Sequence, residues 1–118
     1  MAISTDSVYS HKIFAETSPS ARTIHYPLLS DRSHFITHQY GVLRTDLGIS
    51  FRATFIISPD REVKYASLYP LEVGRNVAEI IRIIKGLLYE ETTGQGIPAY
   101  WQPGMPGILR DFKFVGKI

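Results

Sequence analysis

The chain has 118 residues, 44% hydrophobic and 20% charged, with a formal charge of +2, which suits one ordinary soluble domain burying about two-thirds of its unfolded surface. The small charge, with no Lys/Arg run longer than a pair, argues against nucleic acid or an anionic membrane as the main partner. No apolar stretch approaches the ~18 residues of a membrane helix, and residues 1–6 lack the basic start and apolar core of a secretory signal. With no cysteine there is neither a disulfide framework nor a thiolate metal site, so the expectation is a cytoplasmic protein with no cofactor.

Residues 2–5 suit a short strand, ended by Asp6 and Ser7 as helix N-caps. Val8, Ile13 and Phe14 mark a loosely amphipathic helix that Thr17, Ser18 and Pro19 close. The apolar run at residues 26–29 reads as a second strand. Ser33 is the expected cap of a helix carrying Phe35, Ile36 and Tyr40, with Gly41 as its stop. Residues 51–57 are dense in aromatic and β-branched side chains, apolar on both faces, and predict a strand covered on both sides. Pro59 and Asp60 turn the chain, and residues 62–68 return to make a hairpin. The clearest helix follows. Asn76 caps it with Glu79 as reciprocal partner, and Val77, Ile80, Ile81, Ile84, Leu87 and Leu88 form one apolar stripe. Past Tyr89 the chain turns polar and rich in Gly and Pro. The order strand–helix–strand–helix–hairpin–helix predicts an α/β fold, with a core over 1–91 and a C-terminal extension or arm over 92–118.

Six stretches in order resemble the alkyl hydroperoxide reductase/thiol-specific antioxidant group of peroxiredoxins. They are Ile3-Ser4-Thr5-Asp6-Ser7-Val8-Tyr9-Ser10-His11, Tyr26-Pro27-Leu28-Leu29-Ser30-Asp31 and Tyr40-Gly41-Val42-Leu43 in the front half. Phe51-Arg52-Ala53-Thr54-Phe55-Ile56-Ile57-Ser58-Pro59-Asp60, Val73-Gly74-Arg75-Asn76 and Pro98-Ala99-Tyr100-Trp101-Gln102-Pro103-Gly104 complete the set. The resemblance implies a thioredoxin-like (peroxiredoxin) α/β fold. It covers the family pattern without its N-terminal part, which carries the central strand and the cysteine-bearing helix. Where many members have a resolving cysteine, just before Pro98, this chain has Ile97. Thiolate is the nucleophile of such chemistry, so this chain alone is expected to be inactive as a thiol peroxidase.

Arg52 matches the family arginine that approaches the peroxidatic sulfur. A fixed guanidinium lowers a thiol pKa and donates hydrogen bonds to a peroxide oxygen. From the residues alone, an arginine inside an apolar strand is costly unless paired, and the plain alternative is a sheet-face arginine bound to a carboxylate. Arg75 matches a second family arginine near the active site; its plain alternative is an exposed residue before a helix cap. His34 and His38 share a helix face at i, i+4, but lack the glutamate of a zinc-protease motif and a third ligand, so no metal site is expected. His11 is expected to pack or hydrogen-bond locally and His25 to be solvated. In the family, Tyr100 and Trp101 would pack on a neighbouring protomer; the alternative is a lid on the chain's own core.

The family topology sets the missing strand between the strands expected at 2–5 and 51–57, so two apolar edges are left facing a gap. A cysteine-bearing second chain fills it, or the two strands close on each other into a four-stranded sheet, or two copies exchange elements. The hairpin edge at 62–68 is a further site for pairing with a copy. The expected partners are therefore a complementary cysteine-bearing chain or a homo-oligomer of at least a dimer. Functionally this is either one half of a split hydroperoxide-reducing enzyme or a non-catalytic oligomeric module derived from one.

Overall fold

The computed structural model describes residues 1–116 and divides into two compact units, Met1–Gly74 and Arg75–Ile118. In the first unit, β1 (Ala2–Ser4) runs parallel to β2 (Leu28–Ser30), with Ile3 opposite Leu29. A parallel pair needs a crossover, here α1 (Val8–Thr17) and a 3-10 turn at Ala21–Thr23. Of the two expected caps, Ser7 starts α1: its hydroxyl accepts the N–H of Ser10 at 3.1 Å. Val8, Ile13 and Phe14 are all exposed on this helix.

The short α2 (Phe35–Gln39) is capped differently from the expectation. His34, not Ser33, occupies the N-cap position, with φ at 60° and no side-chain capping bond. The free N–H groups of Ile36 and Thr37 instead reach the carboxylate of Asp31, at 3.2 and 2.8 Å. Gly41 closes the helix in the left-handed region at φ 66°, as expected. A small hairpin that the sequence pattern does not announce then pairs β3 (Leu43–Arg44) with β4 (Ile49–Ser50). The expected larger hairpin is formed by β5 (Arg52–Ile57) and β6 (Val63–Tyr69), antiparallel, with Arg52 opposite Tyr69 and a bulge at Ile56/Ile57.

Among the described residues β1 has β2 as its sole strand neighbour and β5 has β6, so the strands form three separate two-stranded sheets. Direct closure of β1 on β5 into one four-stranded sheet therefore does not occur. Nor is β5 covered on both sides: Ile57 is 46% exposed. Ala21, Val42 and Trp101 are the apolar side chains buried among the described residues.

The surface area reflects this thin core. The chain exposes 8995 Å², whereas two separate globules of about 8 and 5 kDa would together expose about 7,700 Å². It buries about half of its unfolded surface rather than about two-thirds.

The second unit begins with α3 (Val77–Thr93), where the Asn76 side chain accepts the N–H of Glu79 at 3.1 Å. Glu79 does not reciprocate; its carboxylate forms a two-point pair with Arg82 at 2.6 and 2.7 Å. The helix runs past Tyr89 to Thr93 and ends at Gly94 in the left-handed region. Gly86 is buried, and Ile97 packs so close that a β-carbon on Gly86 would lie 3.3 Å from Ile97 Cγ2. A bridge between Gly96 and Ile108 folds the following segment back. Val77, Ile81, Ile84 and Leu88, two-thirds of the expected apolar stripe, remain exposed.

Candidate functional site

Arg52 is the first residue of β5, and its Nε donates to the carbonyl of Leu71 at 2.7 Å. The side chain is exposed, so the desolvation cost expected of a charge in an apolar strand does not arise. No carboxylate pairs with it among the described residues. One donor fixes the plane of the guanidinium, and the four N–H groups of the two terminal nitrogens are left for another acceptor. A planar, permanently charged donor fork of this kind suits a thiolate, a peroxide oxygen or a carboxylate. Arg52 also stands at the head of a strand that has β6 as its one strand neighbour among the described residues.

Arg75 is exposed and directly precedes the Asn76 cap at the start of the second unit. Ile97 is a packing residue against the backbone of α3 at Gly86.

The histidines separate by environment. His11 Nε2 lies 2.7 Å from the Ser4 hydroxyl, which donates to Asp6 at 2.8 Å, so the local bonding expected of His11 is present. His25 is exposed, as expected. His38 donates its backbone N–H to the carbonyl of His34, and the described residues contain no group of three or more potential metal ligands. A cleft of about 570 Å³ beside α1 is lined mainly by apolar side chains, among them Ile3, Phe14, Ile24 and Leu28.

Trp101 and Tyr100 part company. Trp101 is 2% exposed, its ring centroid 5.2 Å from that of Tyr89, whereas Tyr100 is 90% exposed at φ 60°. The lid reading holds for the tryptophan and not for the tyrosine. Sequence reasoning missed the Asp31 cap, the Leu71 carbonyl that orients Arg52, and the bond from Trp101 Nε1 to the Met105 carbonyl at 2.9 Å. Only the last had a sequence signal, the Pro103-Gly104 turn pair.

Residues 1–66 match the model of the AhpC/TSA family. The chain is similar to alkyl hydroperoxide reductase C of Pseudomonas aeruginosa (strain UCBPP-PA14), 33% identical over 98% of this chain and 63% of the relative. It is also similar to peroxiredoxin prdx-2 of Caenorhabditis elegans, 35% identical over 99% of this chain and 62% of that one. Among solved structures, the reduced 2-Cys peroxiredoxin of Plasmodium vivax superposes with a TM-score of 0.83 at 34% identity, over 89% of this chain and 55% of that structure. The chain thus spans less than two-thirds of the length of these relatives.

Proposed function

The chain belongs to the AhpC/TSA family, and from that membership we propose that it forms the Arg52-bearing part of a peroxiredoxin-type hydroperoxide reductase whose thiol lies outside these residues. A thiolate supplied next to Arg52 would attack the outer oxygen of a hydroperoxide, giving a sulfenic acid and releasing an alcohol or water. Arg52 favours the thiolate by its charge and holds the peroxide oxygen through its free N–H groups. The observation that carries this reading is the pairing of Arg52: oriented by the Leu71 carbonyl, with no carboxylate to neutralise it among the described residues. Arg75 is the supporting group.

The cysteine resides on a complementary chain, or on sequence joined to this one, whose strand takes the place beside β1 and β5 where the described residues supply no second strand. A cytoplasmic setting, where thiols are kept reduced, suits this chemistry. No helix among the described residues is long and apolar enough to cross a membrane.

A second reading is favoured by the same lack of a second strand among the described residues and by the thin buried core: a non-catalytic module stable as a homo-oligomer of at least a dimer. Hydroperoxide consumption with a thiol reductant separates the two. The isolated chain is expected to turn over nothing. On mixing with the cysteine-bearing N-terminal portion of a relative, activity appears under the first reading and does not under the second. Purification from its own cells then identifies the native partner: a cysteine-bearing chain in equal amount, or copies of itself.

A further inference from the structure

With no cysteine and two methionines, the sulfur chemistry of this chain rests on Met1 and Met105. Met1 is 82% exposed at the terminus. Met105 is 46% exposed and built into a turn. Pro103 and Gly104, the latter at φ 97°, reverse the chain so that the Met105 N–H donates to the Gln102 carbonyl at 3.0 Å. The Met105 sulfur accepts the Gln102 N–H at 3.3 Å, and the Met105 carbonyl accepts the indole N–H of Trp101 at 2.9 Å. One residue thus closes the turn with its side chain and holds the buried Trp101 with its backbone.

We infer that Met105 is a site of reversible oxidation by hydroperoxides, and that its sulfoxide releases Trp101. The thioether attacks the terminal oxygen of the hydroperoxide. An S–O bond forms, the O–O bond breaks, and the hydroperoxide proton passes to the leaving oxygen. The sulfide loses two electrons and the hydroperoxide is reduced to an alcohol, or to water from hydrogen peroxide. Methionine sulfoxide is polar and chiral where the thioether was apolar and flexible. Its oxygen seeks donors or water, and the sulfur left behind is the poorer acceptor for Gln102. The turn opens, and the Trp101 N–H loses the carbonyl opposite. Nothing in this step needs the thiol partner proposed above, so the two readings stand or fall separately.

The test uses the full chain and tert-butyl hydroperoxide. Peptide mass mapping places each added oxygen, and the single tryptophan reports by its emission. The expected result is one oxygen at Met105, gained in step with a red shift of Trp101 emission, and both reversed by methionine sulfoxide reductases. Met105→Leu should show no shift under the same treatment, and Met105→Gln, which carries a polar group there from the start, should be red-shifted without oxidant. Uptake at Met1 alone, oxidation of Met105 with unchanged emission, or an equal shift in Met105→Leu would each overturn the inference. If the leucine variant fails to fold, the time courses and their reversal in the unaltered chain still decide.

Discussion

The carboxylate of Asp31 takes two hydrogen bonds from Thr37, from its N–H at 2.8 Å and its hydroxyl at 3.0 Å, and both residues are buried. Together with the Ile36 N–H this is the cap that starts α2. Burial pushes the Asp31 pKa up, but the bonds from the Thr37 and Ile36 N–H groups and the Thr37 and Ser33 hydroxyls outweigh it and hold the pKa below the ordinary value.

A depressed carboxylate pKa contributes stability that is complete above the unfolded value of about 3.9 and is lost as pH falls through the folded one. The acid loss of stability should therefore set in below about pH 4. Asp31→Asn should lower the thermal midpoint at pH 7 by about 5 °C and flatten that acid dependence. Thermal melts of both proteins from pH 7 down to pH 3 test it. Equal slopes for the two would rule out Asp31 as the source of the acid dependence.

This cap shows where sequence reading succeeds and fails. The hairpin of β5 and β6 and the helix α3 were legible because seven-residue β-branched density and a long 3.6 period each repeat a signal many times. The Asp31 cap was not, because the chain between Asp31 and Ile36 passes through a left-handed His34 that no local pattern announces. The hairpin of β3 and β4, with two residues per strand, is too short for any period. At the candidate site the identity of Arg52 was legible through resemblance alone. What the sequence could not tell was its partner: Leu71 offers a backbone carbonyl, and a carbonyl is the same in every residue. The absent cysteine was plain from composition, and among the described residues β1 and β5 each have one strand neighbour and not two, in line with the gap expected from it.

Gly107 is required by space. A β-carbon there would lie 2.7 Å from Gln95 Cβ and 2.8 Å from the Gly96 carbonyl oxygen. Neither can yield freely, because the Gln95 side chain also accepts from the Tyr89 hydroxyl and the Gly107 N–H, both at 3.0 Å. Gly107→Ala should cost about 1–3 kcal/mol, read from denaturant unfolding followed by Trp101 emission. Gly74→Ala, which meets nothing within 4 Å, is the matched control and should be close to neutral.

Arg52 should matter for chemistry and hardly for stability. It is exposed and its single bond is to a backbone carbonyl, so Arg52→Ala should change unfolding by no more than about 0.5 kcal/mol. In an assembly completed with a cysteine-bearing chain, the same change should lower kcat/KM for hydroperoxide by about 10²–10³. Arg52→Lys should recover part of this, since it keeps the charge and loses the planar fork. A loss of stability matching the loss of activity would make Arg52 a structural residue instead.

The open edges make a last prediction about mass. β5 presents one row of backbone donors and acceptors with no strand neighbour among the described residues, and half-exposed apolar side chains such as Ile57 flank it. Two-stranded sheets are marginal on their own in water, so a third strand from another chain adds both hydrogen bonds and burial. Sedimentation of the isolated chain should show dimers or larger species that dissociate on dilution. Thr54→Lys, which sets a charge in the middle of β5, should weaken that association at least about tenfold, as charged residues do on natural edge strands. Addition of the complementary cysteine-bearing segment should compete for the same edge and shift the mass toward a one-to-one complex. A monomer across the whole concentration range, unaltered by Thr54→Lys, would mean that these edges are closed in solution by some other arrangement of the chain, and both the oligomer and the strand-accepting site would have to be given up.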